Sequence, residues 1–262
     1  MNISFIGFGH MAKAIAQGLL TNKNIQLRAA APSLPIGITA EGINTHHDNL
    51  AVIPGADIII LAVKPAQMAA VFTQIRPALD ADCLIISIAA GLSLSWFEKH
   101  GSAGLAIVRA MPNMAAAVGK SATPLIANAL ATPSQKQSAE LIFTSIGLTA
   151  WVQQESDMDT LTALSGSGPA YVFLFMEALI KAAQDLGLGE DIARSFTLQT
   201  VFGALSLATE SKLGLAELRH HVTSPAGTTA AAIEVFTERG LDDIVCSAMQ
   251  AARNRARQLG EF

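Results

Sequence analysis

The first residues that could do chemistry form a glycine-rich turn near the N-terminus. Gly7, Gly9 and Ala12 follow an apolar run and precede a stretch with helical spacing of apolar residues. A G-x-G-x-x-A pattern between a strand and a helix is typical of dinucleotide binding, because the glycines let the backbone approach a pyrophosphate and the first helical amides donate to it. The residues predicted to bind the cofactor in this turn are Gly7, Phe8, Gly9, His10, Met11 and Ala12.

The residues around the end of the second expected strand favour NADPH over NADH. An NAD-binding turn has an Asp or Glu about 20 residues beyond the glycines, where it binds the ribose diol. Here the first acidic residue of the chain is Glu41, so no carboxylate would repel a 2′-phosphate. The side chains of Ser33 and Asn49 are predicted to donate to that phosphate. NADH is the less favoured alternative.

Three further candidate segments stand where apolar runs end. Ligands of doubly wound sheets bind outside the carboxyl ends of the strands, so these segments are expected to border the cofactor site. The predicted contacts are Ala62, Val63, Lys64, Pro65, Ala89, Ala90 and Asn113. Lys64 could act as a general acid or neighbour a phosphate, and its position in the sequence does not choose between the two.

Two segments of the C-terminal half are rich in small and hydroxyl residues. Residues 165–171 interrupt a helical pattern with Gly166, Gly168 and Pro169, which destabilise a helix interior, so a cofactor, a substrate or another helix is expected close to the backbone. Residues 223–229 precede a further helical pattern. They could simply cap that helix, or its free amides and positive dipole end could bind a carboxylate.

A parallel sheet is needed to bring the early segments together. Four apolar runs have the length of buried strands, namely residues 3–6, 57–63, 83–88 and 106–110. Their alternation with helical patterns predicts an α/β, Rossmann-type, doubly wound parallel sheet with right-handed crossovers. Beyond residue 157 the apolar residues recur only at helical spacing. We therefore predict a dinucleotide-binding Rossmann domain over residues 1–156 and an all-helical domain for substrate binding and dimerisation over residues 157–262.

Composition narrows the class of protein further. Hydrophobic residues make up 51% of the chain and charged residues 15%, which favours an oligomer that covers apolar surface. A net charge of −4 without a basic stripe disfavours nucleic-acid binding. Cys83 and Cys246 lack the spacing of a zinc site or a disulfide framework, so we expect no metal and two buried thiols. Glycines and a proline in the longest uncharged run disfavour a membrane span, and the N-terminus lacks a signal-peptide pattern, so we expect a cytoplasmic protein.

Taken together, the motifs resemble those of pyrroline-5-carboxylate reductase along essentially the whole chain. Six segments in the same order carry the resemblance: residues 5–12, 62–65, 87–91, 109–113, 164–171 and 224–229. The resemblance implies NADPH-dependent hydride transfer to the C=N bond of 1-pyrroline-5-carboxylate, giving L-proline in the last step of proline biosynthesis. It implies a homo-oligomer, at least a dimer, whose helical domains interlock.

The same resemblance implies a substrate site in the last of these segments. The substrate carboxylate would bind at Ser224, Gly227, Thr228 and Thr229. The hydroxyl of Thr229 would lie close to the ring, which makes Thr229 the candidate catalytic residue. The chain departs from the family pattern at Ala226, where glycine is usual, and at Lys212, Gly214-Leu215 and Arg219-His220, so the finer substrate contacts stay open.

Two other functions are compatible with these motifs. A β-hydroxyacid dehydrogenase has a similar two-domain plan and a catalytic lysine in its helical domain, but Lys181 and Lys212 stand in no matching motif. A non-catalytic NADPH-binding protein would keep the glycine turn without turning over a substrate. Oxidation of NADPH that depends on pyrroline-5-carboxylate distinguishes the three functions.

Overall fold

The apolar runs of the N-terminal half form one sheet, because strands that are buried on both faces need helices to cover them. The computed structural model describes residues 1–101 and 103–259, and within these residues the sheet has nine strands. Their bounds are β1 (Asn2–Ile6), β2 (Gln26–Ala30), β3 (Gly37–Ile38), β4 (Asn44–His46), β5 (Ile58–Leu61), β6 (Leu84–Ser87), β7 (Ala106–Ala110), β8 (Ser121–Ala127) and β9 (Gly147–Trp151). The four predicted strands are confirmed as β1, β5, β6 and β7.

The sheet is mixed, with the strand order β3-β4-β2-β1-β5-β6-β7-β8-β9. Strands β4, β2, β1, β5, β6 and β7 run parallel to one another, while β3 pairs antiparallel with β4 and β8 antiparallel with β7. Strand β9 pairs parallel with β8. The predicted Rossmann-type fold is confirmed, but the sheet is not wholly parallel. The links from β3 to β4 and from β7 to β8 are too short for a parallel crossover, which needs about a dozen residues or more.

Helices cover both faces of this sheet and continue through the C-terminal part of the chain. Their bounds are α1 (His10–Leu19), α2 (Pro65–Ile75), α3 (Leu94–Lys99), α4 (Pro133–Thr144), α5 (Glu155–Leu161), α6 (Gly168–Asp185), α7 (Glu190–Glu210), α8 (Leu215–His221), α9 (Thr228–Glu238) and α10 (Leu241–Leu259). Buried residues of α1 and α4 pack in one core with β1, and buried residues of α2 and α3 pack in a second core with β5 and β6. Two cores separated by one sheet are the doubly wound arrangement.

The chain divides into two compact units, Met1–Ser167 with Ala251–Phe262, and Gly168–Gln250. The last strand ends at Trp151, and the continuous series of helices from α5 to α10 begins at Glu155, close to the predicted domain boundary after residue 156. The division by contacts differs, because α5 and the end of α10 group with the sheet. The predicted domain boundary therefore stays a prediction.

The second unit exposes many large apolar side chains on its two longest helices. Phe173 and Leu174 of α6 and Phe196 and Phe202 of α7 are between 47% and 69% exposed. By length and composition alone, the helical run Glu155–Asp185 could also cross a membrane, and only 6% of its most apolar stretch is buried. The predicted break in this run is confirmed, since a π-helical turn at Thr162–Gly166 separates α5 from α6.

Candidate active site

The turn between β1 and α1 requires glycine at its first position. Gly7 has a φ of +86°, and its N–H donates to the carbonyl oxygen of Ala30 at 2.8 Å. A Cβ atom on Gly7 would lie 2.7 Å from the carbonyl oxygen of Ala62. Gly7 therefore joins the ends of β1, β2 and β5, and no larger residue fits there without moving the backbone.

Gly9, unlike Gly7, borders open space. It is the N-cap of α1 with an extended backbone, and no side chain caps this helix end. A Cβ atom on Gly9 would meet no atom within 4 Å, and both Gly9 and His10 are exposed, whereas Ala12 is buried beneath them. The first amides of α1 thus face open space, which fits a pyrophosphate bound against a helix N-terminus.

The parallel strands bring the predicted cofactor segments to one edge of the sheet. Ile6 pairs with Leu61, Leu61 with Ser87, and Ser87 with Arg109, so β1, β5, β6 and β7 end side by side. The segments that follow them are the predicted ones, containing Gly7–Ala12, Ala62–Pro65, Ala89 with Ala90, and Asn113. At this edge Lys64 is exposed and precedes α2, whose first residue is Pro65.

The two residues predicted to bind the 2′-phosphate differ in availability. Ser33 is exposed in the turn after β2, and its hydroxyl makes no hydrogen bond to the part of the chain that the structure describes. The side-chain amide of Asn49 instead donates to Oε1 of Gln74 in α2 at 2.9 Å. Ser33 is a ready donor, whereas Asn49 would have to exchange a partner. Both assignments stay predictions.

Asn113 is a buried residue whose side chain is already engaged. Its Oδ1 accepts the N–H of Ala115 at 3.1 Å, and its Nδ2 donates to the carbonyl oxygen of Ser165 at 2.9 Å. Asn113 therefore begins the short 3-10 helix Met114–Val118 and ties the end of β7 to the π-helical turn. Its predicted contact with a cofactor is untested, and the geometry gives it a positioning role.

The segment before α9, in the second unit, is a tight turn. The N–H of Gly227 donates to the carbonyl oxygen of Ser224 at 3.1 Å, and the residues between them are Pro225 and Ala226. Proline second and a positive φ third are features of a type II turn, and Ala226 has a φ of +56°. Ala226 is the one non-glycine residue with positive φ in the described ranges, 1–101 and 103–259. Glycine would adopt this conformation without strain.

This turn presents the start of α9. Gly227 is the N-cap without a side-chain cap, so the amides of Thr228 and Thr229 have no intrahelical acceptor. Thr228 is exposed and Thr229 half-buried. A depression of about 510 Å³ is lined by Thr223, Ala226, Gly227, Ala230, Ala231, Ile233 and Glu234. It follows the helix face of Gly227 and Ala230, and Thr229 lies on another face.

A polar cluster in the first unit is absent from the sequence predictions. Arg109, in the apolar strand β7, is 2% exposed and forms an ion pair with Glu155, the first residue of α5. Burial raises the pKa of the nearby Asp159 carboxyl, and the charge of Arg109 opposes that rise. A cavity of about 150 Å³ beside them is lined by Gly91, Ser93, Arg109, Glu155, Asp159, Ala256 and Arg257. The one sequence signal was a charged residue inside a buried strand.

Other titratable residues give no alternative centre. Lys181, a candidate base for the dehydrogenase alternative, is exposed and pairs with Asp185 at 2.8 Å. Among the described residues no group of three or more His, Cys, Asp or Glu side chains could hold a metal ion. Cys83 is buried as expected, but Cys246 is exposed, which corrects the prediction of two buried thiols.

Two family models match the chain. Residues 2–91 match the model described as NADP oxidoreductase, coenzyme F420-dependent, and residues 155–259 match pyrroline-5-carboxylate reductase dimerisation. The first match covers strands β1 to β6 of the sheet and the second covers the helical part, in the predicted order.

Full-length relatives agree with these matches. The pyrroline-5-carboxylate reductase of Pseudomonas aeruginosa is 39% identical, over 99% of this chain and 97% of the relative. The structure of a pyrroline-5-carboxylate reductase from Coxiella burnetii is 40% identical with a TM-score of 0.92, covering 100% of this chain and 99% of that one. The Plasmodium falciparum pyrroline carboxylate reductase with NADP bound is 31% identical with a TM-score of 0.89, covering 99% and 98%.

Proposed function

The chain belongs to the pyrroline-5-carboxylate reductase family, and from this premise we propose that it reduces the C=N bond of 1-pyrroline-5-carboxylate with NADPH to give L-proline. The observation that carries the proposal is the open space above the uncapped N-terminus of α1 at Gly9, at the edge where four parallel strands end. A relative with NADP bound supports the choice of cofactor.

The N-terminal unit holds the cofactor in this proposal. The amides that begin α1 donate to the pyrophosphate, and the exposed hydroxyl of Ser33 donates to the 2′-phosphate. Because no carboxylate precedes Glu41, nothing in this stretch repels the 2′-phosphate, which favours NADPH over NADH. NADPH, when bound, supplies the hydride. The residues Ala62–Pro65, Ala89 and Ala90 border the rest of the cofactor from the same edge.

The substrate carboxylate is bound at the start of α9 in this proposal. The free amides of Thr228 and Thr229 and the hydroxyl of Ser224 are donors, and the dipole of an 11-residue helix adds positive potential. A hydride adds far more readily to a protonated C=N bond, so the site binds the iminium form and the ring nitrogen keeps that proton as the product amine. The hydroxyl of Thr229 hydrogen-bonds the ring nitrogen or the carboxylate and so orients the C=N carbon.

We propose that the active form is a homo-oligomer, at least a dimer. The exposed apolar side chains of α6 and α7 fall within residues 155–259, which match a dimerisation model. A second copy of the chain would cover these apolar side chains, so the apolar helical run does not require a membrane. The proposed function requires neither nucleic acid nor lipid as a partner. The reaction consumes soluble metabolites, so we place it in the cytoplasm. Sedimentation as a stable monomer at micromolar concentration contradicts this part of the proposal.

The test is an assay of NADPH oxidation with pyrroline-5-carboxylate for the wild type and for Thr229→Val. Valine keeps the shape and the backbone amide but deletes the hydroxyl. A hydrogen bond to a charged group contributes about 1.5–3 kcal/mol, so kcat/KM should fall roughly ten- to a hundredfold. The matched control is Thr237→Val, whose hydroxyl bonds to the carbonyl oxygen of Ile233 farther along the same helix.

The outcomes separate the parts of the proposal. Wild-type protein that does not oxidise NADPH with this substrate removes the proposed function. A Thr229→Val variant with the activity of the wild type removes Thr229 from the active site. A Thr229→Val variant that loses NADPH affinity shows that the two pockets have been assigned wrongly.

A further inference from the structure

The loop between β6 and α3 is held from two sides by helical segments far away in sequence. This loop contains Ala89 and Ala90, two of the predicted cofactor contacts. On one side, Oε1 of Glu155 accepts the N–H of Leu94, the first residue of α3, at 2.7 Å. On the other side, a Cβ atom on Gly91 would lie 2.8 Å from Cβ of Leu259, the last residue of α10. Both ends of the helical region, residues 155–259, therefore reach this loop.

Glu155 also anchors the loop to the sheet through Arg109. Its second oxygen, Oε2, accepts from Nη1 of Arg109, whose side chain is only 3% exposed in β7. No other ion pair of Arg109 occurs among the described residues, and its Nε is buried without a hydrogen-bond partner. A buried guanidinium that loses its one paired carboxylate is left uncompensated, so this pair constrains both residues strongly.

Asp159 is a weaker second carboxylate near Arg109. The charges of Arg109 and Arg257 lower its pKa against the larger effect of burial, which raises it. Asp159 makes no hydrogen bond to Arg109 or to the loop in the described ranges. Of Glu155 and Asp159, only Glu155 joins Arg109 in strand β7 to the N–H of Leu94, which follows the loop.

We propose that Glu155 is a positioning residue for cofactor binding. By accepting from both Leu94 and Arg109, it fixes the Ala89–Ser93 loop relative to the ends of β6 and β7. The inference rests on the proposed function, because the contact of Ala89 and Ala90 with NADPH is itself proposed. It adds a physical connection between the helical region and the cofactor loop.

The first experiment compares Glu155→Gln with the control Asp157→Asn. Both residues are acidic and lie in the first turn of α5, but Asp157 is exposed. Glutamine keeps an acceptor for Leu94 and loses the charge that holds Arg109. The Kd for NADPH, measured by fluorescence titration well below the unfolding temperature, should rise about tenfold, a loss typical of one strong polar interaction. The KM for pyrroline-5-carboxylate and all constants of the control should stay within about twofold.

A second variant separates positioning from stability. Arg109→Met combined with Glu155→Gln removes the buried cation, and replacing a buried ion pair by apolar packing is often neutral for stability. The double variant should regain the Tm that Glu155→Gln loses, but not the affinity for NADPH. If Glu155→Gln does not fold, the double variant alone tests the proposal: a weakened affinity for NADPH supports it, and the affinity of the wild type contradicts it.

Two results overturn the inference. One is a folded Glu155→Gln variant with a lower Tm and the Kd of the wild type. The other is a double variant in which both Tm and Kd recover, because the pair would then be only structural. Wild-type protein that binds NADPH without reducing pyrroline-5-carboxylate refutes the proposed reaction instead, and the Kd comparison still tests Glu155.

Discussion

Two glycines of the same turn should respond to substitution in different ways. Gly7→Ala places a side chain on a backbone with a φ of +86°, and the new Cβ atom would lie 2.7 Å from the carbonyl oxygen of Ala62. A left-handed conformation costs an L-residue about 1–2 kcal/mol, and forcing a methyl group against packed atoms costs about 1–3 kcal/mol. The sum is about 2–5 kcal/mol. At about 2–4 °C per kcal/mol for a chain of this size, the Tm should fall roughly 4–20 °C.

Gly9→Val should leave the fold almost unchanged and remove cofactor binding. The backbone of Gly9 is extended, with a φ of −80° and a ψ of −168°, and nothing lies within 4 Å of the new Cβ atom. Only a cap preference is lost, about 1 kcal/mol or less. The valine methyl groups occupy the space above the amides of α1, however. Loss of two hydrogen bonds to charged oxygens, at about 1.5–3 kcal/mol each, weakens NADPH at least about a hundredfold.

Thermal unfolding without ligand and fluorescence titration with NADPH check both variants. Gly55→Ala is a control, because Gly55 has a φ of +69° with open space around its Cβ position and precedes β5 at the opposite edge of the sheet. It should show only the cost of the left-handed conformation and bind NADPH normally. The reasoning fails if Gly9→Val unfolds as early as Gly7→Ala, or if folded Gly9→Val binds NADPH like the wild type.

Three further substitutions test the electrostatics of the chain. Ser33→Asp should shift preference from NADPH toward NADH, because a carboxylate repels the 2′-phosphate. Wild-type protein that uses NADH as efficiently as NADPH, or more efficiently, would contradict the predicted preference for NADPH. Burial raises the pKa of Asp159, so the stability it contributes is present at acidic pH and is lost as pH rises through the raised pKa. Asp159→Asn should therefore raise the Tm at neutral pH and not at acidic pH; the same gain at both would refute this. Burial, with the charges of Asp80 and Asp57, raises the pKa of Cys83 to about 12. In a Cys246→Ser background, native protein should show no reactive thiol at mildly alkaline pH, and a thiol that reacts before unfolding would contradict the burial.

Much of the first unit could be predicted because its signals are local. The strand before Gly7, the glycines and the helix after them are contiguous, and each position has its own steric reason. The parallel order of β1, β5, β6 and β7 follows from buried runs linked by long crossovers. The antiparallel pairs at β3 and β8 were missed, since β3 has only two residues and β8 begins with polar residues and a proline, which gives weak periodicity.

The candidate site was predictable where backbone supplies the chemistry and not where distant side chains meet. The starts of α1 and α9 could be placed from neighbouring residues, although the sequence left open whether residues 223–229 only cap α9. The bond from Asn49 to Gln74 and the bond from Asn113 to Ser165 join residues 25 and 52 positions apart. The hydrogen-bond partner of such a side chain depends on where two elements pack, which no local pattern specifies.

The sequence by itself therefore determined the class of the fold, the glycine-rich turn between β1 and α1, and the family, because periodicity, glycine conformation and helix capping act over a few residues. Only the tertiary structure decided that the buried Arg109 forms an ion pair with the partly exposed Glu155, 46 residues away, beside the loop that contains Ala89 and Ala90. The reason is physical: a charge in a buried strand must find a partner of opposite sign, and the packing of α5 against the sheet selects which carboxylate that is.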